Sequence, residues 1–337
     1  MPANPPACTE DVRRATAGIR RAVQRENGGA TEVFAMGEPV IEVRKLSKCF
    51  GATVALDGLE LVVQPGEVRG LLGPDGAGKT TTMRVLLGLI RADQGTARML
   101  GLDPWRETVR LHPRLAHVAG DVALWPSLTG RETLDLLARA HGPVDAGRQA
   151  RLLESFGLDP ATKGRACSRG DRKKVALVAA LSSEAELFLL DEPAVGLDAP
   201  AEAAFRDEVA GLRDRGATVL LGSQSLDEVS QLCDAVTVIR DGRVVEDGTV
   251  AELPCLTSST VRLRTRCGLR RPGGLACVAA VPGVHDLRVE GDAVSFRVDR
   301  QGVGDVLSAL TWLDVIDITW QPASLDEVFP RHHADGQ

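Results

Sequence analysis

Eight consecutive residues, Gly73-Pro74-Asp75-Gly76-Ala77-Gly78-Lys79-Thr80, follow the spacing G-x-x-x-x-G-K-[ST]. Glycines in that pattern let a backbone wrap around phosphate oxygens with its N–H groups inward, and a helix beginning there adds positive partial charge. The lysine supplies a full charge to the outer phosphates, and the hydroxyl can ligate Mg²⁺. An apolar run (Val68, Leu71, Leu72) precedes the loop, and helical spacing (Met83, Val85, Leu86, Leu87, Leu89, Ile90) follows it. That strand–loop–helix context is what the pattern needs, and the expected ligand is a nucleoside triphosphate with Mg²⁺.

A phosphate loop alone leaves several nucleotide-hydrolase classes open. A second segment narrows them. Leu187-Phe188-Leu189-Leu190-Asp191 reads as a buried strand ending in a carboxylate, the place for an Mg²⁺-organising Asp. Glu192 follows directly and is placed to act as general base on an attacking water.

The elements around these residues repeat strand and helix. Val40–Arg44 and Ala55–Val63 alternate as strands do, and Pro65-Gly66-Glu67 turns the chain into the phosphate loop. A polar, helix-rich middle extends to about Arg165, followed by a helix over Asp171–Leu181 and strands over Leu187–Leu190 and Thr218–Leu221. The fold class is therefore α/β, with a mainly parallel sheet covered on both faces. Past Leu253-Pro254 the pattern becomes short strands (Val261–Arg266, Asp286–Glu290, Ala293–Val298, Val315–Trp320) and one helix (Gly302–Leu310), a separate small α+β domain. The expected division is an extension over 1–37, an ATP-binding domain over 38–253, the small domain over 254–331 and a tail over 332–337. Within the extension, Asp11–Arg25 reads either as a basic amphipathic helix on a membrane or partner, or as a frayed tail, with Met36 a candidate initiator.

Bulk properties restrict the class. The 337 residues carry a net charge of −6, which argues against a nucleic-acid partner, and 44% are apolar, ample for a core. Seven scattered cysteines without a C-x-x-C pair read as reduced thiols in a cytosolic protein. No apolar run reaches the roughly 18 residues that span a bilayer.

With both segments in view, residues 39–250 resemble the ATP-binding subunit of an ABC transporter. The resemblance rests on GPDGAGKTT at 73–81, LFLLDEPAVGLD at 187–198 and CSRGDRKKVALVAAL at 167–181, which is similar to the family's signature segment. It implies a P-loop NTPase fold of the ABC type with a helical subdomain. It also implies ATP and Mg²⁺ at a site lined by Gly73, Pro74, Asp75, Gly76, Ala77, Gly78, Lys79, Thr80 and Thr81. Thr80 and Asp191 would hold the metal, with Glu192 and Lys79 catalytic. Phe50 falls where the family stacks a ring on adenine, though a core phenylalanine at a strand end remains an alternative reading. Ser168 and Gly170 match residues that reach across a head-to-tail dimer to the partner's ATP, and Asp198 lies at the dimer seam.

Three positions depart from the family. Gly120 stands where a Gln is expected to help hold Mg²⁺ and the attacking water. Gln224 stands for the His that senses the γ-phosphate, and a neutral amide lacks the charge that makes such a bond roughly twice as strong. Asp75 replaces an Asn, and facing solvent would avoid most of its repulsion with phosphate. Binding is expected to survive and turnover at this chain's own site to be slow, although retention of Glu192 argues against a dead site. Trp320–Phe329 is similar to the ending of ATPases serving ABC-2 type exporters of the daunorubicin-resistance and multidrug branch. The partners so implied are a separate transmembrane permease and a second ATP-binding subunit, identical or a complete paralogue, at the cytoplasmic face of the membrane. The rival reading is a regulatory or assembly protein in which ATP stabilises a dimer. Substrate, transport direction and the role of residues 1–37 stay open at this level.

Overall fold

The computed structural model describes residues 38–141, 144–253, 258–265, 274–291, 293–299, 302–311 and 315–322. The expectations for Asp11–Arg25, for positions 323–329 of the exporter-like ending, and for the tail lie outside the described residues.

A hairpin opens the described chain. Strands β1 (Ile41–Phe50) and β2 (Thr53–Val63) pair antiparallel, and β4 (Gln94–Met99) adds to the other side of β1. Between them run β3 (Val68–Leu72) and helix α1 (Lys79–Leu86), which starts at the lysine of the phosphate loop.

The central sheet has six strands in the order β5-β6-β7-β3-β8-β9. Its new members are β5 (Leu115–Val118), β6 (Leu187–Asp191), β7 (Thr218–Ser223), β8 (Ala235–Arg240) and β9 (Arg243–Thr249). All pairings are parallel except β8 with β9 at one edge, so the expected mainly parallel sheet is present. Every residue of β6 and β7 is buried, which explains their unbroken apolar runs. Alternate side chains go to opposite faces: Phe188, Leu190, Val219 and Leu221 join one core, and Leu187, Leu189 and Leu220 join the other.

Helices α2 (Thr108–Leu111), α3 (Gly130–His141), α4 (Ala146–Ser155), α5 (Arg169–Leu181), α6 (Ala199–Asp214) and α7 (Leu226–Leu232) complete this part. The middle of the chain differs from the helix-rich expectation, because it contains β4 and β5. Strand β4 is mostly exposed and β5 has four residues, so neither shows a long alternating pattern.

The C-terminal strands β10 (Ser258–Thr265), β11 (Val284–Glu290), β12 (Ala293–Asp299) and β13 (Val315–Pro322) form an antiparallel sheet in the order β11-β12-β10-β13. Helices α8 (Gly274–Ala279) and α9 (Val303–Leu310) accompany it. Val261, Leu263, Phe296, Val298, Val306 and Leu310 belong to a core of its own. The expected α+β character is there; α8 is an addition.

Candidate nucleotide site

Strands β3, β6 and β7 are adjacent and parallel, so the segments that leave them emerge along one edge of the sheet. In open parallel sheets ligands bind outside these carboxyl ends. The phosphate loop leaves β3, the acidic pair ends β6, and Gln224 follows β7.

The loop is pinned at its base, where the Gly73 amide donates to the Ser223 carbonyl over 3.1 Å. Gly78 caps α1 with φ 110°, and a Cβ there would lie 2.8 Å from the Ala55 carbonyl oxygen. Only glycine fits both demands. The first turn of α1 carries no acidic residue, so its amide dipoles are uncompensated by the helix itself. Lys79 is 5% exposed; its Nζ donates to the carbonyls of Gly73 (2.7 Å) and Pro74 (3.2 Å) and lies 3.1 Å from Glu192 Oε1.

Thr80 Oγ1 donates to Asp191 Oδ2 over 2.7 Å, which joins the loop to the end of β6. Asp191 is 2% exposed, and its Oδ1 has no hydrogen-bond partner. A buried carboxylate oxygen without a partner is costly unless something supplies charge. A hydroxyl and carboxylate pair with that orphan oxygen suits a hard divalent cation such as Mg²⁺.

Glu192 has φ 46°, the left-handed region, and its amide donates to the Gly222 carbonyl over 2.8 Å. Neither of its carboxylate oxygens makes a hydrogen bond of good geometry. Burial raises its pKa; the Lys79 ammonium opposes that, while Asp191 and Asp75 add to it. A carboxyl poised in this way is a suitable proton acceptor.

The third segment contains two residues that sequence reading missed. Ser223 Oγ bonds to Glu228 Oε2 and accepts from the Ser225 amide over 2.9 Å. Burial pushes the Glu228 carboxyl up to about 7, against the Ser223 bond and with help from Glu192 and Glu202. No spacing rule marks Glu228, because an acidic residue in the first turn of a helix is ordinary. Gln224 itself is exposed. Gly120 comes close to the acidic pair: a Cβ on it would stand 3.3 Å from Asp191 Oδ2.

The remaining predicted residues sit on separate structural features. Ser168 caps α5 in a reciprocal box with Asp171, the Asp171 amide donating to Ser168 Oγ (3.1 Å) and the Ser168 amide to Asp171 Oδ2 (3.0 Å). Gly170 faces the Gly196 carbonyl, which a Cβ would approach to 2.6 Å. Asp198 caps α6 through the Ala201 amide (2.9 Å) and accepts from Lys174 Nζ (2.6 Å). Phe50 is 49% exposed at the end of β1, with Lys48 Nζ 5.5 Å from its ring centroid, so it is no core residue. Asp75 is exposed, and its charge reaches Glu192, whose pKa it helps to raise.

Comparison with known proteins follows the same lines. The model of the ABC transporter family matches residues 56–195. The chain is 38% identical over 299 residues to the daunorubicin/doxorubicin resistance ATP-binding protein DrrA of Streptomyces peucetius, covering 86% of this chain and 91% of that protein. It belongs to the ABC transporter ATP-binding family. It is also 36% identical over 306 residues to the Nod factor export ATP-binding protein I of Paraburkholderia xenovorans, with 88% and 97% covered. A solved ATP-binding subunit of an ABC transporter superposes with a TM-score of 0.60 at 30% identity, over 63% of this chain and 91% of that one. A dimeric ATP-binding cassette in a post-hydrolysis state with ADP and Pi shares the fold at 20% identity, with a TM-score of 0.57 over 62% of this chain and 98% of that one. The fold is the ABC cassette, and the chain is an ABC-type ATPase that binds ATP.

Proposed function

We propose that this chain is the ATP-binding subunit of an exporter, energising a separate membrane permease. The observation that carries the ATPase chemistry is the convergence of Lys79, Thr80, Asp191 and Glu192 at one sheet edge. Its export role is supported by relatives named for drug resistance, Nod factor export and bacitracin transport. Residues 38–253 form the ATP-binding domain and 254–331 a separate small domain, in keeping with the separate C-terminal core.

In this reading Lys79 binds the outer phosphates, and the loop amides and α1 terminus orient the triphosphate. Phe50 offers its exposed ring to adenine. Thr80 and Asp191 would hold Mg²⁺, which would supply positive charge against the phosphates. Glu192 accepts the proton of the attacking water. Gln224 donates a neutral hydrogen bond at the γ-phosphate, and Gly120 offers no side chain. Loss of one preorganised contact costs about 10²–10³ in rate by analogy with oxyanion sites, so the chain's own site binds ATP firmly and turns it over slowly. Ser168 and Gly170 complete the site of a second ATP-binding subunit, with Asp198 at the seam.

No helix among the described residues is long and apolar enough to cross a membrane. In this reading the permease supplies the span, and this subunit sits at its cytoplasmic face. A second reading, ATP-stabilised assembly without transport, is favoured only by Gly120 and Gln224. Calorimetry and turnover of the purified chain test the site: MgATP binding abolished by Lys79→Ala supports it. Turnover at ordinary ABC rates, lost in Glu192→Gln, refutes the slow-site reading. Co-purification with a polytopic membrane protein from detergent separates transport from assembly.

A further inference from the structure

We infer that Lys173 is a positioning residue for Glu192, clamping the backbone of the general base from inside the protein. The inference rests on Glu192 being the base. Lys173 lies on α5 and is 3% exposed. Its Nζ donates to the carbonyls of Ala119 (2.9 Å), Gly120 (2.8 Å) and Glu192 (3.0 Å). An ammonium has three hydrogens, and these three carbonyls use them all. Among the described residues no carboxylate takes one, so all its hydrogen bonds go to the main chain. Burial lowers its pKa, and Asp191 is the chief opposing charge.

Filling the same space with an apolar side chain would avoid burying a charge. What the ammonium adds is a fixed tie between the segment after β5 and the residue after β6. Glu192 needs such a tie because its φ of 46° is unfavourable for a residue with a Cβ. One side of the residue is anchored by its amide on Gly222 (2.8 Å). On the other side, its carbonyl has Lys173 at 3.0 Å and only a long bond from the Val195 amide at 3.4 Å. Lys173 therefore sets the direction of the Glu192 peptide and, through it, where the carboxylate points. Gly120, lacking a side chain beside Asp191, makes its link to the acidic pair through its carbonyl and this cation.

The test uses the full chain and steady-state MgATP turnover beside calorimetric ATP affinity. Lys173→Met, similar in length and uncharged, is expected to lower kcat on the order of 10²-fold, the typical cost of a misplaced catalytic group, with little change in KM or ATP affinity. In a Glu192→Gln background, read by single-turnover phosphate release, the same substitution should change the rate by no more than about twofold. Equal losses in both backgrounds, an unchanged kcat, or a loss confined to KM would overturn the proposal. If melting shows that Lys173→Met is not folded, Lys173→Gln, shorter and with two hydrogens in place of three, is judged by the same two-background comparison, with a smaller kcat loss expected because a donor remains. If Glu192→Gln alone leaves turnover intact, the base assignment fails; if it abolishes turnover while Lys173→Met does not, only the clamp fails.

Discussion

Along the carboxyl edge of the central sheet, Lys79 and Asp191 are nearly enclosed and are joined to Thr80 and Glu192. At the N-termini of α5 and α6, by contrast, Ser168 and Asp198 stand in solvent and cap their own helices, Asp198 also accepting from Lys174 of α5. The first set is fixed by strand ends and a lysine that has no freedom to move without breaking buried bonds. The second is held mainly by local caps, each worth about 1 kcal/mol, which water or an incoming ligand can replace, with the Lys174 bond added at Asp198. A group that must meet a second subunit gains from this: it is ordered before the encounter and cheap to redirect during it. A group that must place a proton acceptor cannot be built that way.

Four measurements test this contrast. The largest effect is expected at the enclosed set, where Glu192→Gln should reduce turnover about 10²–10⁴-fold while calorimetry still finds MgATP bound. Next is Glu228, behind the same edge. Its carboxyl, pushed up to about 7, keeps a proton in the folded state that the unfolded chain releases above its ordinary value of 4.5. The associated stability is thus complete below the ordinary value and is lost as pH rises through about 7. Glu228→Gln should therefore be more stable than the parent by about 1–3 kcal/mol near pH 8 and equal to it near pH 4, as read from melting curves. At the solvent-facing set, Ser168→Ala should cost about 1 kcal/mol in a denaturant titration and leave the isolated chain's ATP affinity unchanged. An affinity loss there would mean that the two regions are one site. The smallest effect belongs to Asp75→Asn, which should tighten MgATP about twofold at low salt and not at all at high salt, because an exposed charge is screened.

The enclosed set was the more legible in sequence, for a physical reason. Phosphate binding demands glycine, lysine and hydroxyl at fixed offsets, and a buried parallel strand shows as an apolar run, so Gly73–Thr80 and Leu187–Glu192 both stand out. Strands β6 and β7 were read within a residue or two of their ends. Strands β4 and β5 were not, since the one is exposed and the other too short for period-two patterning. Lys173 and Glu228 escaped because their roles depend on distant partners, Gly120 and Glu192 for one and Ser223 across a turn for the other. In sequence both look like ordinary charged residues of amphipathic helices. For Phe50 the sequence allows either an adenine-stacking ring or a core residue, and its exposure excludes the core.

The left-handed backbone at Glu192 has one more implication, for protein engineering. Glycine would relax that conformation, and it would also remove a partly buried carboxylate crowded by Asp191, at the cost of its contact with Lys79. Directed evolution that rewards heat resistance alone would thus drift toward glycine at this position and yield a sturdier, inert cassette. Libraries built from this chain should keep codon 192 unchanged unless export activity is part of the selection.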